Sequence, residues 1–429
     1  MKEQKENDAE AEKIKSQIGD LTRKYFEITN KPGLTPVRYG GSLHDEKELV
    51  EMINAVLDGW WVNGRRTKEF ENIMEKFFNA KHSIFCNSGS SALILAFESL
   101  GLEKGSEIIT PALTFPTTIN PAIRQGMDIV LADSDIGTYN VNVEQMENAV
   151  TKKTKAIIIP HLLGNMSDMD RIMDLVEEHD LIFLEDCCEA LGSFYGNRML
   201  GTFGDTAAFS FFPSHHISAA GGGMFITNSE ELYVRALSLK NWGRQYSSVD
   251  YIPNQGLIRS DYIQQYTYEA IGYNFNASEI EAAKGIVQMG KLGEFNKIRQ
   301  ENFGLLLRFF KKYEDYFILP RTVNNRAKPS WFAFPLTMTE KAKKLFTREQ
   351  LMDFLFKKKI EARYILAGNI MRHSAYSKIK FRTSGSLANS DKVFTDSFFI
   401  GVYPGINEEK MKYVRESFDE FISNPKANL

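Results

Sequence analysis

Residues 209 to 228, FSFFPSHHISAAGGGMFITN, set His215 and His216 between two apolar runs, just ahead of three glycines. Imidazole titrates near neutral pH, so either histidine is suited to moving a proton, although a lone histidine is more often a structural hydrogen-bonding group. Packed glycines mark backbone that bends sharply or approaches something closely. In LIFLEDCCEALG, Asp186 and Glu189 close an apolar strand, where carboxylates need partners. Asp186 reads either as a helix cap or as the partner of a protonated ring nitrogen. In CNSGSSALIL, small residues lead from a strand into a helix. Gly89, Ser90 and Ser91 there are either a serine cap or a phosphate site, since free N–H groups at a helix start bind phosphate. In TPALTFPTTINPA, Phe115 follows a strand end, where ligands gather in open parallel sheets. It reads as core or as a surface on which a flat ring stacks.

The elements that must carry these groups alternate along the chain. HSIFCN, SEIIT, DIVLAD, KAIIIP, LIFLED, TAAFSFF and GMFITN read as buried strands, and SALILAFESLG, NVEQMENAVT and MDRIMDLVEEHD as the helices between them. Such alternation predicts an α/β fold with a mostly parallel sheet covered by helices. Near residue 290 the pattern changes to one long amphipathic helix, then SWFAFPLTM and two further helices, a smaller α+β domain. The division expected is a charged N-terminal arm over 1–45, a large domain over 46–288 and a small domain over 289–429.

The 429 residues carry a formal net charge of −3 with both signs interspersed, which gives no support for nucleic-acid or anionic-membrane binding. The N-terminus lacks the apolar core of a signal peptide and no apolar run would span a bilayer, so a cytoplasmic enzyme is the expectation. Cys86, Cys187 and Cys188 are the only cysteines and have no zinc-finger spacing, so no metal site is expected.

Together these motifs resemble the DegT/DnrJ/StrS family of sugar aminotransferases, which have the fold type I architecture of pyridoxal-phosphate enzymes. The resemblance runs from about residue 35 to 425 and includes GWWVNGRRTKEFE, NSGSSAL, TFPTTINPA, GTYNVN, HLLGN, LEDCCEALG, GTFGD, SFFPSHH, GYNFNASEIEAA and GVYPGINEE. It implies that Gly89, Ser90 and Ser210 hold the cofactor phosphate, Phe115 stacks on the ring, Asp186 pairs with the ring nitrogen and Glu189 lies near the ring hydroxyl. Asn274, with Asn276 as a second candidate, would reach the phosphate bound by a neighbouring subunit, so a homodimer with a shared active site is implied. The family's aminotransferases carry a Schiff-base lysine where this chain has His215. Imidazole cannot form that bond, so pyridoxal 5'-phosphate or pyridoxamine 5'-phosphate would be held non-covalently. A histidine here resembles the family's 3-dehydratases of nucleotide 4-keto-6-deoxyhexoses, in dideoxysugar and O-antigen lipopolysaccharide biosynthesis, which implies His215 as the base and Glu189 as the second catalytic residue.

Two departures matter. Dehydratases of CDP-sugars hold an iron–sulfur cluster with four cysteines, most of them after WGR, whereas Asn241 to Gly256 contain none. The reading is therefore a dehydratase without an iron–sulfur cluster, with glutamate restoring the amine. Gly221 stands where the family has an acidic residue. An aminotransferase is the first alternative, and an inactive sugar-binding homologue is the second.

Overall fold

The computed structural model of the chain describes residues 2–30, 33–245 and 266–425. Among them an eight-stranded sheet runs in the order His82–Cys86, Gly223–Thr227, Thr206–Ser210, Ile182–Asp186, Thr154–Pro160, Glu107–Pro111, Asp128–Ala132, Arg382–Thr383. Gly223–Thr227 is antiparallel to both of its neighbours, and the other pairings are parallel. The central strands are buried along nearly their whole length because helices cover both faces. That is why they read as continuous apolar runs rather than alternating ones. One face packs Ile109, Ile157, Ile159, Phe183 and Phe209, and the other packs Ile108, Ile158, Leu184 and Phe225.

The smaller antiparallel sheet, Phe317–Ile318, Ala333–Met338, Ser397–Gly401 and Ala362–Arg363, has its own core around Phe310, Phe334, Phe398 and Phe418. Helix Glu279–Phe310 joins the two halves and passes through the 288/289 division drawn from sequence. Its start is set by a capping box, with Ser278 accepting from Glu281 N–H and Glu281 accepting from Ser278 N–H. Two segments cross the divisions. Val37 bridges to Ile360 in the small domain, and Arg382–Thr383 extends the large sheet beside Asp128–Ala132. The charged arm is a helix, Lys2–Thr29, which packs on helix Glu46–Leu57 and pairs Lys15 with Asp58 at 2.8 Å.

Candidate active site

A cavity of about 410 Å³ opens at the carboxyl ends of the parallel strands. The strand ends deliver its chemistry: Pro160, Asp186 and Ser210 are each the last residue of a strand and each line it. Gly89, Ser90, Phe115, Glu189 and His215 also line the cavity. Asn274 does not; it lies on the exposed surface, where its Oδ1 accepts from Asn276 Nδ2 at 2.9 Å.

Helix Gly89–Glu98 begins at the cavity wall, with Ser88 Oγ capping Ser91 N–H at 3.1 Å. The N–H groups of Gly89 and Ser90, first in that helix, have no carbonyl partner within it. A Cβ at position 89 would stand 2.8 Å from Ser210 Oγ, so glycine is what lets the helix start and the strand end meet. Free donors, the helix dipole and two serines make this corner a fit for a phosphate.

Asp186 is 6% exposed. One carboxylate oxygen accepts from Thr118 Oγ at 2.6 Å and the other from Cys188 N–H at 3.2 Å. Thr118 lies one turn into the helix that starts at Pro116, immediately after Phe115, so a single short helix supplies both the exposed ring and the carboxylate's hydroxyl partner. Sequence reading missed Thr118, although its place in TFPTT was a usable signal. Glu189 accepts from Leu163 N–H at 2.8 Å. Burial, resisted by that hydrogen bond and aided by the charge of Asp186, pushes its pKa up to about 7.

His215 Nδ1 is hydrogen-bonded to the carbonyl oxygen of Cys188. A carbonyl only accepts, so Nδ1 carries the hydrogen and Nε2 keeps a lone pair. Desolvation by the surrounding protein, opposed by that carbonyl and by Asp186, brings the His215 pKa down to about 4. The imidazole is therefore neutral at physiological pH, rather than half-titrated as its residue type alone implies. His216 has the other tautomer, donating from Nε2 to Ser330 O at 2.8 Å, and it is not part of the cavity wall. No lysine lines the cavity among the described residues.

Gly221 lines the wall as well, and a Cβ there would lie 2.8 Å from Glu281 Oε1. The capping carboxylate of the long helix thus occupies the space a side chain at 221 would need. His161, another residue of the cavity wall, pairs with Glu185 at 3.0 Å, close to Cys187. Glu185 already accepts from the N–H groups of Gly201, Phe203 and Gly204, and burial raises the Cys187 thiol well above its usual range. The Glu185 carboxylate is thus engaged by backbone donors and His161, while His161 Nδ1 is left buried without a partner. The cysteine-free stretch after WGR lies outside the described residues from position 246 to 256.

A phosphate corner, an exposed phenyl face, a carboxylate at a strand end and a raised glutamate share one cavity, a donor set that fits a phosphorylated pyridine. Among the described residues no helix is long and apolar enough to cross a membrane. The chain is 36% identical to the lipopolysaccharide biosynthesis protein RfbH of Salmonella typhimurium, over 96% of this chain and 98% of that protein. It is also 36% identical to dTDP-4-dehydro-2,6-dideoxy-D-glucose 3-dehydratase of Saccharopolyspora spinosa, over 96% and 92%. The solved structure of GDP-4-keto-6-deoxymannose-3-dehydratase with a trapped PLP-glutamate geminal diamine superposes with a TM-score of 0.80 at 29% identity, covering 88% of this chain and 99% of that one. Its fold type I architecture is the one described above, and with residues 43–419 matching the family as a whole, this chain belongs to the DegT/DnrJ/EryC1/StrS aminotransferase family.

Proposed function

We propose that this chain is a 3-dehydratase of a nucleotide-linked 4-keto-6-deoxyhexose that uses pyridoxamine 5'-phosphate and pyridoxal 5'-phosphate without a covalent bond to the protein. The observation that carries the reading is the cavity wall itself: His215 lines it, its tautomer leaves Nε2 with a free lone pair, and no lysine lines it among the described residues. The relatives named above include two 3-dehydratases of nucleotide sugars.

Gly89, Ser90 and Ser210 would hold the phosphate, Phe115 would cover one ring face, and Asp186 would bind the ring nitrogen. The cofactor supplies an amine for the sugar's C4 ketone and an electron-poor ring that eases loss of the C3 hydroxyl. His215 takes up a proton at Nε2, and its Nδ1 bond to Cys188 keeps the ring oriented while it does so. Glu189, whose pKa burial pushes up to about 7, supplies a group beside Asp186 that holds a proton more readily than an ordinary carboxylate. Glutamate as the amine source is consistent with the PLP-glutamate species trapped in the neighbouring structure.

The absence of cysteine after WGR favours a route without an iron–sulfur cluster. A homodimer is favoured by the exposed Trp60, Trp61, Trp242 and Ile271, which lie around the surface that carries Asn274. Borohydride reduction of protein loaded with pyridoxal phosphate tests the central feature. All cofactor should separate from the denatured chain, whereas a cofactor-labelled lysine peptide would make the chain an aminotransferase. Incubating the pyridoxamine-phosphate form with GDP-, CDP- and dTDP-4-keto-6-deoxyhexoses identifies the substrate.

A further inference from the structure

One buried charge near the cavity has no counter-ion. Arg299, on the long connecting helix, is 1% exposed, and among the described residues no carboxylate pairs with it. Its guanidinium donates to three backbone carbonyls instead: Nη1 to Phe332 O at 2.9 Å and Trp331 O at 3.5 Å, and Nη2 to His215 O at 3.2 Å. A buried cation is expensive unless paired, so carbonyl dipoles alone leave it poorly compensated. Burial accordingly pulls its pKa down to about 9, which still leaves it charged at neutral pH.

The carbonyls it gathers come from separate parts of the fold. Residues 331 and 332 lead into the small-domain strand Ala333–Met338, while His215 sits on the large-domain loop beyond Ser210. The same small-domain segment touches both histidines: Phe332 meets the His215 ring at 5.5 Å between centroids, and Ser330 O accepts from His216. It also meets the cavity loop at Leu163, whose carbonyl accepts from Phe332 N–H at 2.9 Å and whose own N–H holds Glu189. Among the described residues, Arg299 is the one side chain that binds the His215 backbone and the 331–332 backbone at once.

We propose that Arg299 is a positioning residue for His215, fixing the imidazole against the cavity by tying its loop to the small-domain segment that packs on the ring. This rests on the reading of His215 as the base. The guanidinium acts in a second way, as a fixed positive charge. The groups facing His215 are Asp186, which favours its protonated form, the Cys188 carbonyl, which does the same, and Arg299, which disfavours it; His216 is a further titratable neighbour, and Glu189 and the Cys188 thiol belong to the same cavity wall. Removing the arginine charge leaves Asp186 unopposed, so His215 should protonate at higher pH.

The test uses Arg299→Met and Arg299→Lys, each alone and combined with His215→Asn, on full-length protein. Turnover is followed with the pyridoxamine-phosphate form and the sugar nucleotide that the panel above identifies. The His215 ring titration is followed by NMR in the cofactor-free protein and assigned by its loss in His215→Asn. Arg299→Met should lower kcat at least about tenfold, as expected for a misplaced catalytic group, with KM changed less than about threefold. It should also move the His215 titration to higher pH. Arg299→Lys, which keeps the charge but not the fork, should lower kcat with the titration near wild type, and it carries the test alone if the methionine variant does not fold. In the His215→Asn background neither change should reduce kcat further. Additive losses, or a folded Arg299→Met protein with an unmoved titration, would overturn the proposal. If His215→Asn alone keeps wild-type turnover, the base assignment fails instead, and the titration still reports the Arg299 contact.

Discussion

The cavity wall and the seam behind it each hold an imidazole, from adjacent residues, and treat them in opposite ways. His215 donates from Nδ1 to a loop carbonyl beside Asp186 and leaves Nε2 with a free lone pair on a cavity-lining residue. His216 donates from Nε2 to Ser330 O and leaves Nδ1 buried without a partner. Burial lowers the pKa of both, yet only one ring is placed where a ligand can meet it. The difference teaches that a pair of histidines in sequence is not a pair in chemistry: which ring nitrogen the fold satisfies decides which residue can act.

Three substitutions sharpen that contrast. His215→Asn should reduce turnover by about 10² to 10⁴, the usual contribution of a general base, while cofactor affinity stays within a few-fold because phosphate and ring contacts come from other residues. Steady-state kinetics together with a cofactor titration separates the two effects. His216→Asn should act on stability instead, lowering it by about 1–3 kcal/mol as the Ser330 carbonyl loses its buried donor, with a smaller loss of kcat than His215→Asn. Denaturant unfolding measures it. Gly221→Glu should destabilise by about 1 kcal/mol, the usual value of a cap, because the new side chain displaces Glu281 from Ser278. Adding Glu281→Gln removes the charge repulsion and should recover part of that loss, whereas equal unfolding midpoints for the single and double variants would show that the two positions do not touch.

Much of the architecture was legible in the sequence, because strands buried on both faces leave apolar runs such as KAIIIP that need no partner to be recognised. The motifs at strand ends were legible for the same reason, since polar residues closing an apolar run stand out. The two-residue strands Phe194–Tyr195, Arg198–Met199 and Arg382–Thr383 were not, since so short a stretch has no periodicity. The 288/289 division fell inside a helix because SEIEAAKG is rich in small residues that pack closely, as Gly285 does against Phe70, and shows no broad apolar stripe. The capping box at Ser278 and Glu281 was the available signal. Arg299 was invisible, since one arginine on a long charged helix looks like a solvated side chain until the fold buries it.

The central claim is that Nε2 of His215 moves the proton. Its most direct measurement is exchange of the C4' hydrogen of pyridoxamine phosphate with solvent, in the presence of the bound sugar nucleotide, for wild type, His215→Asn and His216→Asn. Exchange should fall with turnover in His215→Asn and stay near wild type in His216→Asn. Wild-type exchange in His215→Asn would contradict the account and assign the base elsewhere.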